Sequence, residues 1–168
     1  MRSLALAAAI VFLTGCALTP ASGAPPSPSP SAGGAGGTAL NVPQDLTFIG
    51  KLPARWTAAD VTCGPADGKG ADSFSARLTA LDSLGQKDAL TVVVPSGYKG
   101  AGEYSVNATA TLSVFTGGAL IASSTPVLQT LFTVNPDLSS GTIDANLAQG
   151  ADQQDAVEHI QGTWHCGK

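Results

Sequence analysis

In Val106-Asn107-Ala108-Thr109-Ala110-Thr111-Leu112-Ser113-Val114 every even position is apolar and every odd one polar. Successive side chains of an extended chain point to opposite faces, so a period of two places one row in a core and the other in water. A helix would scatter the same residues around its axis. Phe74-Ser75-Ala76-Arg77-Leu78-Thr79-Ala80 and Thr142-Ile143-Asp144-Ala145-Asn146-Leu147 repeat the pattern, while Leu90-Thr91-Val92-Val93-Val94 and Val127 to Val134 read as more fully buried strands. Turn-forming clusters separate them: Gly64 to Gly68, Pro95-Ser96-Gly97, Thr116-Gly117-Gly118 and Asn135 to Gly141. Short strands with turn signals between them and no intervening helical pattern predict an all-β fold, an antiparallel β-sandwich of about 7–9 strands or a small barrel.

The last segment is less plain. Asp152 to Ile160 contains good helix formers with an Asp in cap position. Strand from about Val157 onward is the better assignment, because Ile160, Gly162, Trp164 and Cys166 then share one face. That face sets Trp164 beside Cys166, and a tryptophan against a disulfide is a recurrent core device in sandwiches.

The amino-terminal end carries an address instead of a fold. Arg2 precedes an apolar run from Leu4 to Leu13, and small residues lead into Cys16, the order of a secretory signal. The run is too short to span a bilayer, which takes about 20 apolar residues. Leu13-Thr14-Gly15-Cys16 looks like a bacterial lipobox, which makes Cys16 the lipidated first residue of the mature chain and residues 1–15 the leader. Residues 16–39 hold that cysteine and a tether, since positions 19 to 37 are all Thr, Pro, Ala, Ser or Gly. Without large apolar side chains such a stretch cannot offset the entropy of ordering itself, and it places residues 40–168, the β domain, on the order of 25 to 60 Å from the anchor.

Charge narrows the partners. Charged residues make up 12% of the chain, about half the usual share, and the net charge is −4. Lys51, Arg55, Lys69, Arg77, Lys87, Lys99 and Lys168 are scattered singly, so the sequence offers no basic patch for nucleic acid.

Of the three cysteines, Cys16 goes to the lipid, which leaves Cys63 and Cys166 as an even pair in an oxidising compartment. A disulfide between them is expected. No second Cys or His lies close enough to Cys63 for a zinc motif.

Few residues suggest chemistry. His159 and His165 share a strand face but would stand roughly 20 Å apart, too far for one metal ion. Asn135 to Ser139 starts like a calcium loop, then has Ser140 where Gly is needed and Asn146 where Glu is needed, so a tight turn is expected. Gly64 to Gly70 fails the spacing of a phosphate loop. No serine lies in a Gly-x-Ser-x-Gly elbow and no His-Glu-x-x-His occurs. These readings point to no catalytic residue, no metal and no cofactor. Tyr98 and Tyr104, in a glycine-rich stretch, are candidates for a loop that stacks on a sugar or a partner protein, or else close a hairpin.

The lipobox, the Ser/Thr/Pro/Gly tether, and the two domain cysteines, with Ser140 to Leu147 and the terminal Gly162-Thr163-Trp164-His165-Cys166, together resemble small actinobacterial surface lipoproteins such as the mycobacterial 19-kDa antigen family. The likeness covers the layout of the whole chain. It implies a lipid anchor at Cys16 on the extracytoplasmic face of the cell membrane and a non-catalytic β domain that binds or supports envelope components, be they protein, glycan or lipid. The alternatives are a carrier for a lipid or other apolar ligand, with space left by Ala76, Ala80, Ala108 and Ala110, and an envelope hydrolase.

Overall fold

The computed structural model describes residues 37–66, 69–105, 110–150 and 154–167. The expectations for the leader, for Cys16 and for the tether up to residue 36 lie outside these residues, as do Val106 to Thr109.

Among the described residues the chain is all strand and connection, with no helix: β1 (Thr38–Gly50), β2 (Ala54–Gly64), β3 (Phe74–Leu81), β4 (Lys87–Val94), β5 (Gly102–Ser105), β6 (Thr111–Thr116), β7 (Ala119–Ser123), β8 (Thr130–Val134), β9 (Ser140–Leu147) and β10 (Glu158–His165). Every pairing is antiparallel, and hydrogen bonds join the ten strands into one sheet in the order β5-β8-β9-β10-β1-β2-β3-β4-β6-β7. The all-β expectation holds, with ten strands where about 7–9 were predicted. The sheet is a sandwich in its packing and a single layer in its hydrogen bonding.

Aromatic contacts show how it curls. Phe74 on β3 lies with its ring 6.0 Å from that of Phe132 on β8 and 5.9 Å from that of Trp164 on β10. In a flat sheet β3 and β8, five places apart, would be separated by about 24 Å. The two wings therefore face each other across a shared interior. Ser123, at the end of edge strand β7, also exchanges backbone hydrogen bonds of 2.8 and 2.9 Å with Ala148, just past β9.

The corner between the wings is β1. Its pairing with β2 shifts register between Ala39 and Val42 and again between Pro43 and Leu46, and Asn41 takes a left-handed conformation at φ 52. Bulges bend a strand and sharpen its twist, and they accept a proline that cannot donate to the ladder. β1 and β2 lie outside the segments that alternation picks out: on β2 the phase changes, with Trp56 buried and then Ala59 and Val61, and on β1 the buried row of Val42, Leu46 and Phe48 includes the polar Gln44.

Elsewhere the pattern is realised directly. On β3 Phe74, Ala76 and Leu78 are buried, and on β9 Ile143, Ala145 and Leu147. β10 begins at Glu158 and turns Ile160 and Trp164 inward, as the strand assignment required. The strand foreseen over 106–114 is observed from Thr111 to Thr116, and the one foreseen from Val127 begins at Thr130 after an exposed turn. One expectation is corrected: β4 and β8 are not fully buried. Thr91 and Val93, like Leu131 and Thr133, are half-buried on the outer face, so the runs of β-branched residues cover both sides of the sheet.

Trp164 and Phe132 are the two largest fully buried side chains, with rings 5.1 Å apart. Burial of such a side chain contributes about 1.5–3 kcal/mol. Trp164 is opposite Gly141 in register, and its indole Nε1 donates to the Thr133 carbonyl at 3.1 Å. A Cβ on Gly141 would stand 1.8 Å from that carbonyl oxygen and 2.7 Å from Nε1, so the missing side chain is what lets the indole reach β8. Gly162, at φ 133, likewise lets β10 close on Asp45 of β1.

The expected disulfide is present: Cys63 at the end of β2 is joined to Cys166 just beyond β10, with Cα atoms 5.8 Å apart and a sequence separation of 103. Both cysteines are half-buried against the core. Closing a loop of that length restricts the unfolded chain by roughly 4 to 5 kcal/mol on the chain-entropy account. Replacing both cysteines by alanine should lower stability by about 4 kcal/mol in urea unfolding. Gly141→Ala should cost about 2 kcal/mol and shift the tryptophan fluorescence, as overpacking displaces the indole.

Candidate functional site

Two groups of residues deserve comparison as sites: the tyrosine stretch and a hollow on the outer face. Tyr104 is buried on β5, and its hydroxyl donates to the Gly100 carbonyl at 2.7 Å while accepting from the Lys99 amide at 3.1 Å. Tyr98 is half-buried, stacked at 5.0 Å on Phe74 and at 5.6 Å on Tyr104. Burial, and then the neighbouring Tyr104, push the Tyr98 hydroxyl above its ordinary value. The two rings thus extend the cluster of Phe74, Phe132 and Trp164 to the end of the interior. Tyr104 is turned inward with its polar atom spent on its own loop, and Tyr98 keeps the part-exposed position.

The hollow has a volume of about 440 Å³ and lies on the outer face of β2, β3 and β4, beside Ala66 and Lys69 of the β2–β3 connection. Thr62, Ser75, Arg77, Thr91 and Val93 reach it from the strands, and Ala66 and Lys69 from the loop. These strand residues point outward by the same alternation that buries Phe74, Ala76, Leu78, Leu90 and Val92. Register sets Thr62 opposite Arg77 and Arg77 opposite Thr91, a row across three strands. Directly opposed Cβ atoms lie about 4.5–5.5 Å apart, so the row spans roughly 10 Å. A second hollow of about 320 Å³ lies between β1 and the β8–β9 turn, lined by Val42, Pro43, Asp137, Ser139, His165 and Gly167.

The remaining candidates are structural. Asp137 Oδ1 accepts from the amides of Ser139 (3.0 Å) and Ser140 (3.1 Å), and its Oδ2 accepts from the Ser140 hydroxyl at 2.8 Å. These bonds, the Ser139 amide first, hold its carboxyl below the usual range, and the segment is the tight turn expected. His159 pairs with Asp144 at 3.0 Å on the outer face. His165 exchanges two backbone bonds with the Gln44 side chain, at 2.9 and 3.0 Å. Among the described residues no group of three or more His, Cys, Asp or Glu is placed to hold a metal ion.

Two buried carboxylates escape a reading by motif. Asp88 and Glu158 are each 1% exposed, the first on β4 in phase with Leu90 and the second on β10 in phase with Ile160. The signal was parity alone: each has the same even numbering as the inward row of its strand. Glu158 Oε2 accepts from the Leu52 amide at 2.9 Å, whereas its Oε1 and Asp88 Oδ1 are buried without a hydrogen-bond partner among the described residues. Burial raises the Glu158 carboxyl above its ordinary value, opposed in part by the amides of Leu52 and Lys51 and by nearby His159.

The fold so built is an all-β, antiparallel domain of a single curled sheet, locked by one disulfide. Comparison with family models, with curated proteins and with solved structures finds no match to the chain.

Because the folded state holds the Glu158 proton more tightly than the unfolded chain, this group's contribution to stability is fully present below the unfolded value, about 4.3, and is lost as pH rises through the raised folded value. Glu158→Gln should therefore gain on the native chain in urea unfolding between pH 4 and pH 8. A stability difference that stays constant over that range would show that the carboxylate is not titrating in the fold.

Proposed function

We propose that the chain is a lipid-anchored cell-surface lipoprotein whose β domain acts by non-catalytic contact with envelope components. The observation that carries this reading is the division of labour among the cysteines. Cys63 and Cys166 close the domain as a disulfide, a bond at home outside the cytoplasm, while the third falls in Leu13-Thr14-Gly15-Cys16. The Pro-, Ser- and Gly-rich segment that follows suits a spacer between an anchor and a folded body. Two or more acyl chains make such an anchoring stable, so the lipidated cysteine would decide where the domain acts.

A binding role is favoured over a catalytic one by how the polar groups are used. Asp137, His159 and Tyr104 are committed to a turn, a surface hydrogen bond with Asp144 and a loop. The carrier reading has less support from the described core, where Ala76 and Ala110 are buried in the same cluster as the packed rings of Phe74, Phe132 and Trp164.

In membrane fractionation the native chain should sediment with the membrane and leave it only in detergent, and Cys16→Ser should move it to the soluble fraction. Retention of the Cys16→Ser chain on the membrane would reject the anchor.

A further inference from the structure

The hollow over β2, β3 and β4 gathers the charge that the sequence scatters. Lys69 and Arg77 both line it, and neither has an acidic partner among the described residues, where Arg55 pairs with Asp45 and His159 with Asp144. The nearest outward acid by register, Asp60, sits one pair further along β2 from Thr62, and its Oδ1 is taken by the Asn41 amide at 3.0 Å. Among the described residues, then, two cations share one concavity of a chain whose net charge is −4.

The walls are built, not incidental. The loop that carries Lys69 is held by Ser73, whose hydroxyl accepts from the Ala66 amide at 3.0 Å and donates to the Gly70 carbonyl at 2.6 Å. The Lys69 amide bonds back to the Ala66 carbonyl at 3.0 Å, and the Asp72 carbonyl takes the Tyr98 amide at 2.7 Å. Around the cations stand hydroxyls of Thr62, Ser75 and Thr91, and the Thr91 Oγ1 is buried without a hydrogen-bond partner. Leaving such an oxygen unpaired is costly, so it is a place where a bound hydroxyl gains. Ala66 and Val93 add an apolar patch. Cations for an anion, hydroxyls for hydroxyls and a small apolar surface for ring C–H groups, in about 440 Å³, match one or two sugar units that bear a charge.

We propose that this hollow binds an acidic sugar, a carboxylate- or phosphate-bearing residue of an envelope glycan, with Arg77 and Lys69 on the anion and Thr62, Ser75 and Thr91 on the ring hydroxyls. The glycan as the source rests on the envelope reading above, whereas recognition of an anionic polyol rests on the hollow alone.

The test is titration calorimetry on the full chain carrying Cys16→Ser, which is handled without detergent, against digalacturonate, glucose 1-phosphate, cellobiose and inorganic phosphate. Digalacturonate or glucose 1-phosphate should bind at least about tenfold more tightly than cellobiose and than inorganic phosphate, and binding should weaken with salt. Arg77→Met and Lys69→Met should each lower that affinity by about tenfold, with the melting temperature unchanged because both side chains are exposed. The proposal is overturned if neither acidic sugar binds, if cellobiose or inorganic phosphate binds as tightly, or if both variants bind like the parent. It is also overturned if the chain is held by phosphatidylglycerol vesicles through Arg77 and Lys69 while ignoring both sugars, since a lipid headgroup would then be the ligand. Fractionation reads Cys16 and calorimetry reads the hollow, so each idea fails without the other.

Discussion

The fold depends on one bend. In a flat sheet two strands with a third between them lie about 9.5 Å apart, yet Cys63 at the end of β2 and Cys166 just past β10 have Cα atoms 5.8 Å apart, although β1 pairs with both strands. The sheet must fold sharply where β1 passes, and the irregularities of that strand fall at the same place: the left-handed Asn41, the two register shifts and Pro43. Gly167 packs so closely on Val42 and Ala39 there that a Cβ would come within 2.9 Å of both side chains. The covalent bond and the bulges are therefore two descriptions of one corner. From it follow the facing wings, the aromatic cluster between them, and the hollow on the outer side of one wing.

The cost of the bend is met inside. Folding one sheet over itself brings Phe74, Phe132, Trp164, Tyr98 and Tyr104 into a continuous stack, with ring separations from 5.0 to 6.4 Å. Aromatic pairs at such separations are worth about 0.5–1.5 kcal/mol each beyond the area they bury. The chain has nine Phe, Trp and Tyr residues, and five of them meet between the wings. Tyr98 and Tyr104 are understood in the same way. From sequence they are either an aromatic loop open to a partner or the closure of a hairpin, and the curl draws Tyr104 into the end of the core.

What the sequence made legible was parity. Where a strand is regular, as in β3, β9 and β10, a period of two gives both its existence and its inner face, and the pairing of Cys63 with Cys166 follows from counting. What stayed hidden is whatever breaks parity or depends on register. The pairing of β1 with β2, the longest strands, is irregular, and on β2 the apolar row passes from one numbering to the other between Trp56 and Ala59. The valines of β4 suggested burial on both faces, because a β-branched side chain is equally at home lining an open hollow. Lys69 and Arg77 seemed isolated cations, for nothing local says that the connection after β2 brings Lys69 to the outer face of β3. Asp88 and Glu158 were legible by parity, but an acid in an inward row runs against the expectation that carboxylates stay wet.

The central place of β1 has a mechanical consequence. Residue 37 feeds directly into this strand, which is bonded to β2 on one side and to β10 on the other. A pull arriving along the chain from its amino-terminal side first meets the short Thr38–Ala39 pairing with β2. From Asp45 onward it must strain two ladders at once. An edge strand would peel away bond by bond under such a load, whereas an inner one distributes it across the sheet, so the body resists unravelling from the side on which it would be tugged.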